Sequence, residues 1–186
     1  MRALIFITCL LSQPLIGQER HLFAHFEKAT RIDIPAFAKD NDQILLVGEL
    51  TDQSLWVVLE AGAKEDSNLR STLQTDVVFW NQRRGKPCNV AKREGQFTFV
   101  KYESNITKFN VQDASKLFRL HDEHINKIAK TGNIVLEGFF DNDDGGFMLM
   151  RGTVDPQVIL TDPAVVNGII EPKVYLTSIE VGTGCP

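Results

Sequence analysis

The stretch His121-Asp-Glu-His124 … Lys130-Thr-Gly132, followed by Ile134-Val-Leu-Glu-Gly138-Phe-Phe140, decides how the chain is read. An acidic turn comes next at Asp141-Asn-Asp-Asp-Gly-Gly146, then Phe147-Met-Leu-Met-Arg151. Thr161-Asp162-Pro163-Ala-Val-Val-Asn-Gly168 and a closing strand from Lys173 complete it. Upstream, Leu117, Leu120, His121, His124, Ile125 and Ile128 fall on one helical stripe, with Asp113 as the expected N-cap. Gly132 suits the left-handed turn that ends such a helix. The two apolar runs around the acidic turn read as a hairpin, and Asp162 before Pro163 reads as a helix cap.

Working backwards, Gln96-Phe-Thr-Phe-Val-Lys-Tyr102 alternates as a strand, with Phe97, Phe99 and Lys101 on one face. Residues 103–110 read as a polar loop, and Cys88 to Ala91 as a short strand. Ile44 to Leu50 is an unbroken apolar strand, turned by Thr51-Asp-Gln-Ser54 and returned by Leu55 to Glu60. Residues 61–74 read as a helix, and Asp33-Ile-Pro35 as the start of a short one. His21 to Phe26 fits either a helix or a strand with Leu22, Ala24 and Phe26 on one side. His21 and His25 have the spacing of metal ligands on a helix, but no third ligand stands near them in sequence.

The two halves match at a period of about 90 residues, the size of a domain rather than of a solenoid repeat. Ile44 to Gly48 lies over Ile134 to Gly138, Trp56 to Leu59 over Phe147 to Met150, and Thr75 to Asn81 over Thr161 to Asn167. Each half reads strand, helix, strand, strand, helix, strand, the ferredoxin-like order. The expected fold is therefore α+β, with two tandem ferredoxin-like halves of the dimeric α/β-barrel type packed as a pseudo-dimer. The expected boundaries are 18–92 and 96–183, joined near Lys92 to Gly95. The first half is degenerate: the position matching His121 falls near Thr30, and Gln82 stands where the second half has Gly168.

The helix His, Gly132, the strand Gly138, the Gly-rich turn and Asp162-Pro163 ahead of Gly168 together resemble the YciI-like (YCII-related) family over about half the chain. That resemblance implies a small cofactor-free protein that associates through its sheets. The family includes a 5-chloromuconolactone dehalogenase, so lyase or isomerase chemistry on a small organic acid is implied. It also implies that His121 and Asp162 form an acid–base pair, the carboxylate fixing the imidazole tautomer and leaving the other nitrogen for proton transfer. His124 and Phe139 are candidate ligand-binding residues of the same pocket. Phe139 stands where the family usually has Pro, which alters the pocket wall. A His on an apolar stripe and an Asp before Pro also suit plain packing and capping, so a non-catalytic ligand- or protein-binding module is the alternative.

Composition narrows the partners. The chain has 186 residues, 43% of them hydrophobic, with net charge −4. It carries no clustered basic run of the kind that binds nucleic acid. Neither a Gly-rich phosphate loop nor a Gly-x-Ser-x-Gly elbow is present, so no cofactor is expected. The acidic turn lacks the spaced ligands of a Ca²⁺ loop. Residues 1–17 have the charged start, short apolar core and small residue of a signal peptide, which predicts export; Ala3 to Thr8 as a first strand is the cytoplasmic alternative. The apolar run is too short for a membrane span. Asn105-Ile-Thr107 is a glycosylation sequon in an exporting host. Cys88 and Cys185 could pair in an exported protein, or Cys185 could be a free thiol on the tail.

Overall fold

The computed structural model describes residues 20–26, 38, 42–60, 77–90, 95–141 and 145–185. The expected signal segment, the helix starting at Asp33, the helix over 61–74 and all of the expected junction but Gly95 lie outside them.

Eight strands form one closed antiparallel barrel, in the order β1-β3-β2-β8-β5-β7-β6-β4. They are β1 (Arg20–Phe26), β2 (Ile44–Leu50), β3 (Leu55–Glu60), β4 (Val77–Arg84), β5 (Phe97–Ser104), β6 (Ile134–Phe140), β7 (Gly145–Arg151) and β8 (Ile170–Val181). This overturns the two packed ferredoxin-like α+β halves. The first four strands are contiguous, as are the last four, but β2 pairs with β8 and β4 pairs with β6. Edge pairing leaves no open sheet edge among the described strands, so the halves join rim to rim instead of stacking face to face. The described chain is mostly sheet, with one long helix.

Period-two alternation then sorts side chains between lumen and outer surface. The lumen is filled by rings. Phe147 lies 4.7 Å from Trp80, 4.9 Å from Phe23 and 5.4 Å from Phe99 between centroids, and Trp56 lies 5.2 Å from Phe99. Outside β5–β8 a second apolar cluster, including Val100, Tyr102, Met148 and Ile170, is covered by helices. These are α2 (Val111–Ala129), α3 (Pro156–Leu160) and α4 (Pro163–Val166). A single turn, α1 (Pro87–Val90), sits at one end of the barrel with Cys88 and Val90 against the lumen cluster.

Several local expectations change. Residues 88–90 are helical, because Pro87 suits a helix start better than a ladder. The match of 75–81 over 161–167 fails: Val77 onward is strand β4, whereas Pro163–Val166 is helix. β-branched Val77 and Val78 followed by Phe79 and Trp80 favour a strand, and no Pro starts a helix there. β1 is a strand, so the four-residue spacing of His21 and His25 is not a helical turn. Asn110 rather than Asp113 caps α2, accepting from the Asp113 N–H at 2.9 Å. β5 runs on through Ser104, and a 3-10 turn at Ile106–Lys108 links it to α2. β8 begins at Ile170, three residues before Lys173. Cys88 and Cys185 form a disulfide with a Cα separation of 5.2 Å. Among the described residues no helix is long and apolar enough to cross a membrane.

Candidate functional site

Two polar constellations stand out, one on the outer face of the barrel and one at its mouth. On the outer face, α2 carries His121 over the end of α3 and the start of α4. Its Nδ1 lies 2.5 Å from Asp162 Oδ2. Asp162 is fully buried, while the His121 side chain keeps 18% of its surface exposed. The second carboxylate oxygen accepts the Ala164 N–H at 2.8 Å, so Asp162 is also the N-cap of α4. Burial alone would raise the Asp162 pKa; the hydrogen bond and charge of His121, with the Ala164 N–H, outweigh it and hold the carboxyl below its usual range. The structure thus brings together the two residues the sequence singles out. It does so inside a packing contact.

The neighbours have structural work of their own. His124 Nε2 donates to the Val158 carbonyl at 2.8 Å, fastening α2 to α3. The Tyr102 ring meets His121 edge-on at 5.4 Å. The Tyr102 hydroxyl is buried with no hydrogen-bond partner among the described residues, and burial, then the Asp162 and Glu137 charges, push its pKa up. Phe139 is not gathered into this cluster. It stands on β6 in register with Asn81 and Gly146, half-buried, on the face opposite to lumen-lining Phe140.

The second constellation was not foreseen. At the end where β8 begins, the lumen face turns polar. Lys101 follows Phe97 and Phe99 on β5, Lys173 precedes Tyr175 on β8, and His25 follows Phe23 on β1; the three phenylalanines belong to the lumen cluster and Tyr175 packs on it. With Asp52 and Ser54 from the β2–β3 turn, these residues line a cleft of about 240 Å³. Ser54, only 1% exposed, donates its hydroxyl to Asp52 Oδ1 at 2.5 Å and receives His25 Nε2 at 3.3 Å. Burial pushes the Asp52 pKa up, but the Ser54 hydroxyl and N–H and the His25 charge more than offset it, leaving the pKa lowered. Across the cleft, Lys173 Nζ lies 2.7 Å and Lys101 Nζ 3.4 Å from the same Glu103 oxygen. One sequence signal pointed here: a lysine in line with two phenylalanines on the inward face of β5.

At the opposite end a cleft of about 330 Å³ is lined by Gly85, Lys86, Asn89, Val90 and Val135. His21 lies nearby against Trp80, its Nε2 2.9 Å from Gln82 Oε1. His21 and His25 therefore serve different partners. Among the described residues no group of three His, Cys, Asp or Glu side chains is placed to hold a metal ion.

No family model matches the sequence, and no curated protein matches it. Among solved structures, a candidate monooxygenase from Lactobacillus acidophilus NCFM follows a similar chain path, at 10% identity and a TM-score of 0.49. The match covers 89% of this chain and 97% of that one.

Proposed function

We propose that this chain is a small-ligand-binding barrel whose seat is the polar mouth, with His121 and Asp162 serving as a structural tie. One observation carries the reading. Five polar side chains from β1, the β2–β3 turn, β5 and β8 converge with Tyr175 on one cleft, although the lumen beyond is filled with rings. Polar groups gathered on a concave surface at a barrel mouth are what orients a ligand. At the other constellation both Asp162 oxygens are engaged and His124 is engaged with a backbone carbonyl.

A second reading is favoured by the 2.5 Å contact between His121 Nδ1 and Asp162. A carboxylate on one imidazole nitrogen leaves the other for proton transfer, which suits lyase or isomerase chemistry on a small organic acid. The YciI-like resemblance points the same way. Titration of the ¹⁵N-labelled native protein with a panel of small polar metabolites separates the two. The binding reading expects saturable shifts at Ser54, Lys101 and Lys173, retained in His121→Gln. Saturable shifts confined to residues around His121 and Asp162 would overturn it in favour of the enzyme.

A further inference from the structure

The register of the β5–β8 pair places Lys101 directly opposite Lys173. Like charges facing each other across a strand pair are destabilising, and more so beside an apolar lumen. Both ammonium groups reach one oxygen of Glu103. Glu171, opposite Glu103 in the same register, adds a second carboxylate whose charge acts on Lys173, so lysines and carboxylates on this wall are equal in number. The opposite wall offers acceptors. Ser54 gives its only hydroxyl proton to Asp52 and accepts from His25 Nε2, so the acceptor this wall offers a ligand is the Asp52 carboxylate. Space between the walls is about 240 Å³, below the range typical of cofactor-sized sites.

We infer that the mouth binds a small carboxylic acid carrying a hydrogen-bond donor at its other end, a hydroxy acid or an amino acid. The carboxylate sits between Lys101 and Lys173, and the hydroxyl or ammonium meets Asp52. The bound anion lies between the two facing lysines and offsets their mutual repulsion. This rests on the mouth being the ligand seat, and it names the chemistry of that seat.

The test is an NMR titration of the native protein at constant ionic strength. The probes are glycolate, glycine, acetate, methylammonium and inorganic phosphate. Glycolate and glycine should bind at the mouth about fivefold more tightly than acetate, the effect of one added hydrogen bond. Asp52→Asn should bring glycine down towards acetate. The Lys101→Gln/Lys173→Gln double variant should lose glycolate binding, with its thermal unfolding showing that it remains folded. Glu103→Gln is the variant that misfolding cannot mimic, because it releases both ammonium groups and should tighten glycolate binding about threefold. Phosphate or methylammonium binding more tightly than glycolate would overturn the ligand class while leaving the mouth as the seat. Saturable shifts at the mouth from none of the five would overturn both. Unchanged glycolate affinity in the double lysine variant would overturn the assigned contacts.

Discussion

Asp162 has no solvent-exposed surface, and each of its oxygens accepts a hydrogen bond. Removing it leaves His121 Nδ1 and the Ala164 N–H without their partner. Asp162→Ala should therefore lower stability by about 3 kcal/mol at pH 7. Asp162→Asn should cost about half as much, since Asn still caps a helix but offers His121 no charge. The pH dependence follows from the lowered pKa. The carboxylate's contribution is fully present above the unfolded value of 3.8 and is lost as pH falls through the lower folded value. Urea unfolding of wild type and Asp162→Asn should show the wild-type advantage narrowing as pH falls below 3.8. A wild-type advantage that did not shrink as pH fell below 3.8 would contradict this electrostatic account. The pair was legible in sequence because each partner lies in a local pattern, one on a helix stripe and one before a Pro. The mouth was not, because His25, Ser54, Lys101 and Lys173 come from separate elements and meet only when the barrel closes.

Among the elements, the glycines near the ends of β2 and β6 had a clear sequence signal but a hidden reason. Gly48 faces the lumen beside Trp56, and a Cβ there would lie 2.1 Å from the indole. Gly138 stands in the same relation to Trp80, whose Nε1 would be 2.5 Å from an added Cβ, with the Asn81 carbonyl at 2.2 Å. Missing side chains thus make room for the two largest lumen residues. Gly48→Ala should destabilise by about 2–3 kcal/mol, because the buried indole and the rings stacked on it cannot all shift. Gly132→Ala is a useful contrast: at φ +75° it is strained, yet a Cβ there meets nothing within 4 Å. Its cost should be about 1 kcal/mol, from the left-handed backbone alone. Chemical denaturation of the two variants checks both, and equal losses would remove the packing argument for Gly48. Helix α2 was legible because nineteen residues sustain one periodic stripe. β4 was not, since a short apolar run starting at Val77 was matched to residues 163–166, which are helical.

For the whole molecule, closure was the property least visible in sequence. Alternation tells which face of a strand is apolar, but not whether that face meets a second sheet or the far wall of its own barrel. The pairing of β2 with β8 and of β4 with β6 decides it. Closure also predicts one unfolding transition, because neither run of four strands keeps a covered lumen face once the other leaves. The Cys88–Cys185 disulfide acts at this scale. It ties α1, just after β4, to the segment after β8, across a sequence separation of 97 residues. Both sulfurs sit against the lumen cluster at the end away from the lysines. Cross-linking a loop of that length restricts the unfolded chain by about 4–5 kcal/mol on the chain-entropy account. Cys88→Ser should lower the unfolding free energy by about 4 kcal/mol, with a steeper urea dependence because the unfolded chain becomes more expanded. A reductant should have the same effect on the wild type and add nothing to the variant. The transition should stay single in both, since the barrel is held shut by its ladders and not by the cross-link. Two separated transitions in the reduced protein would mean that the halves unfold independently and that closure contributes little to their stability.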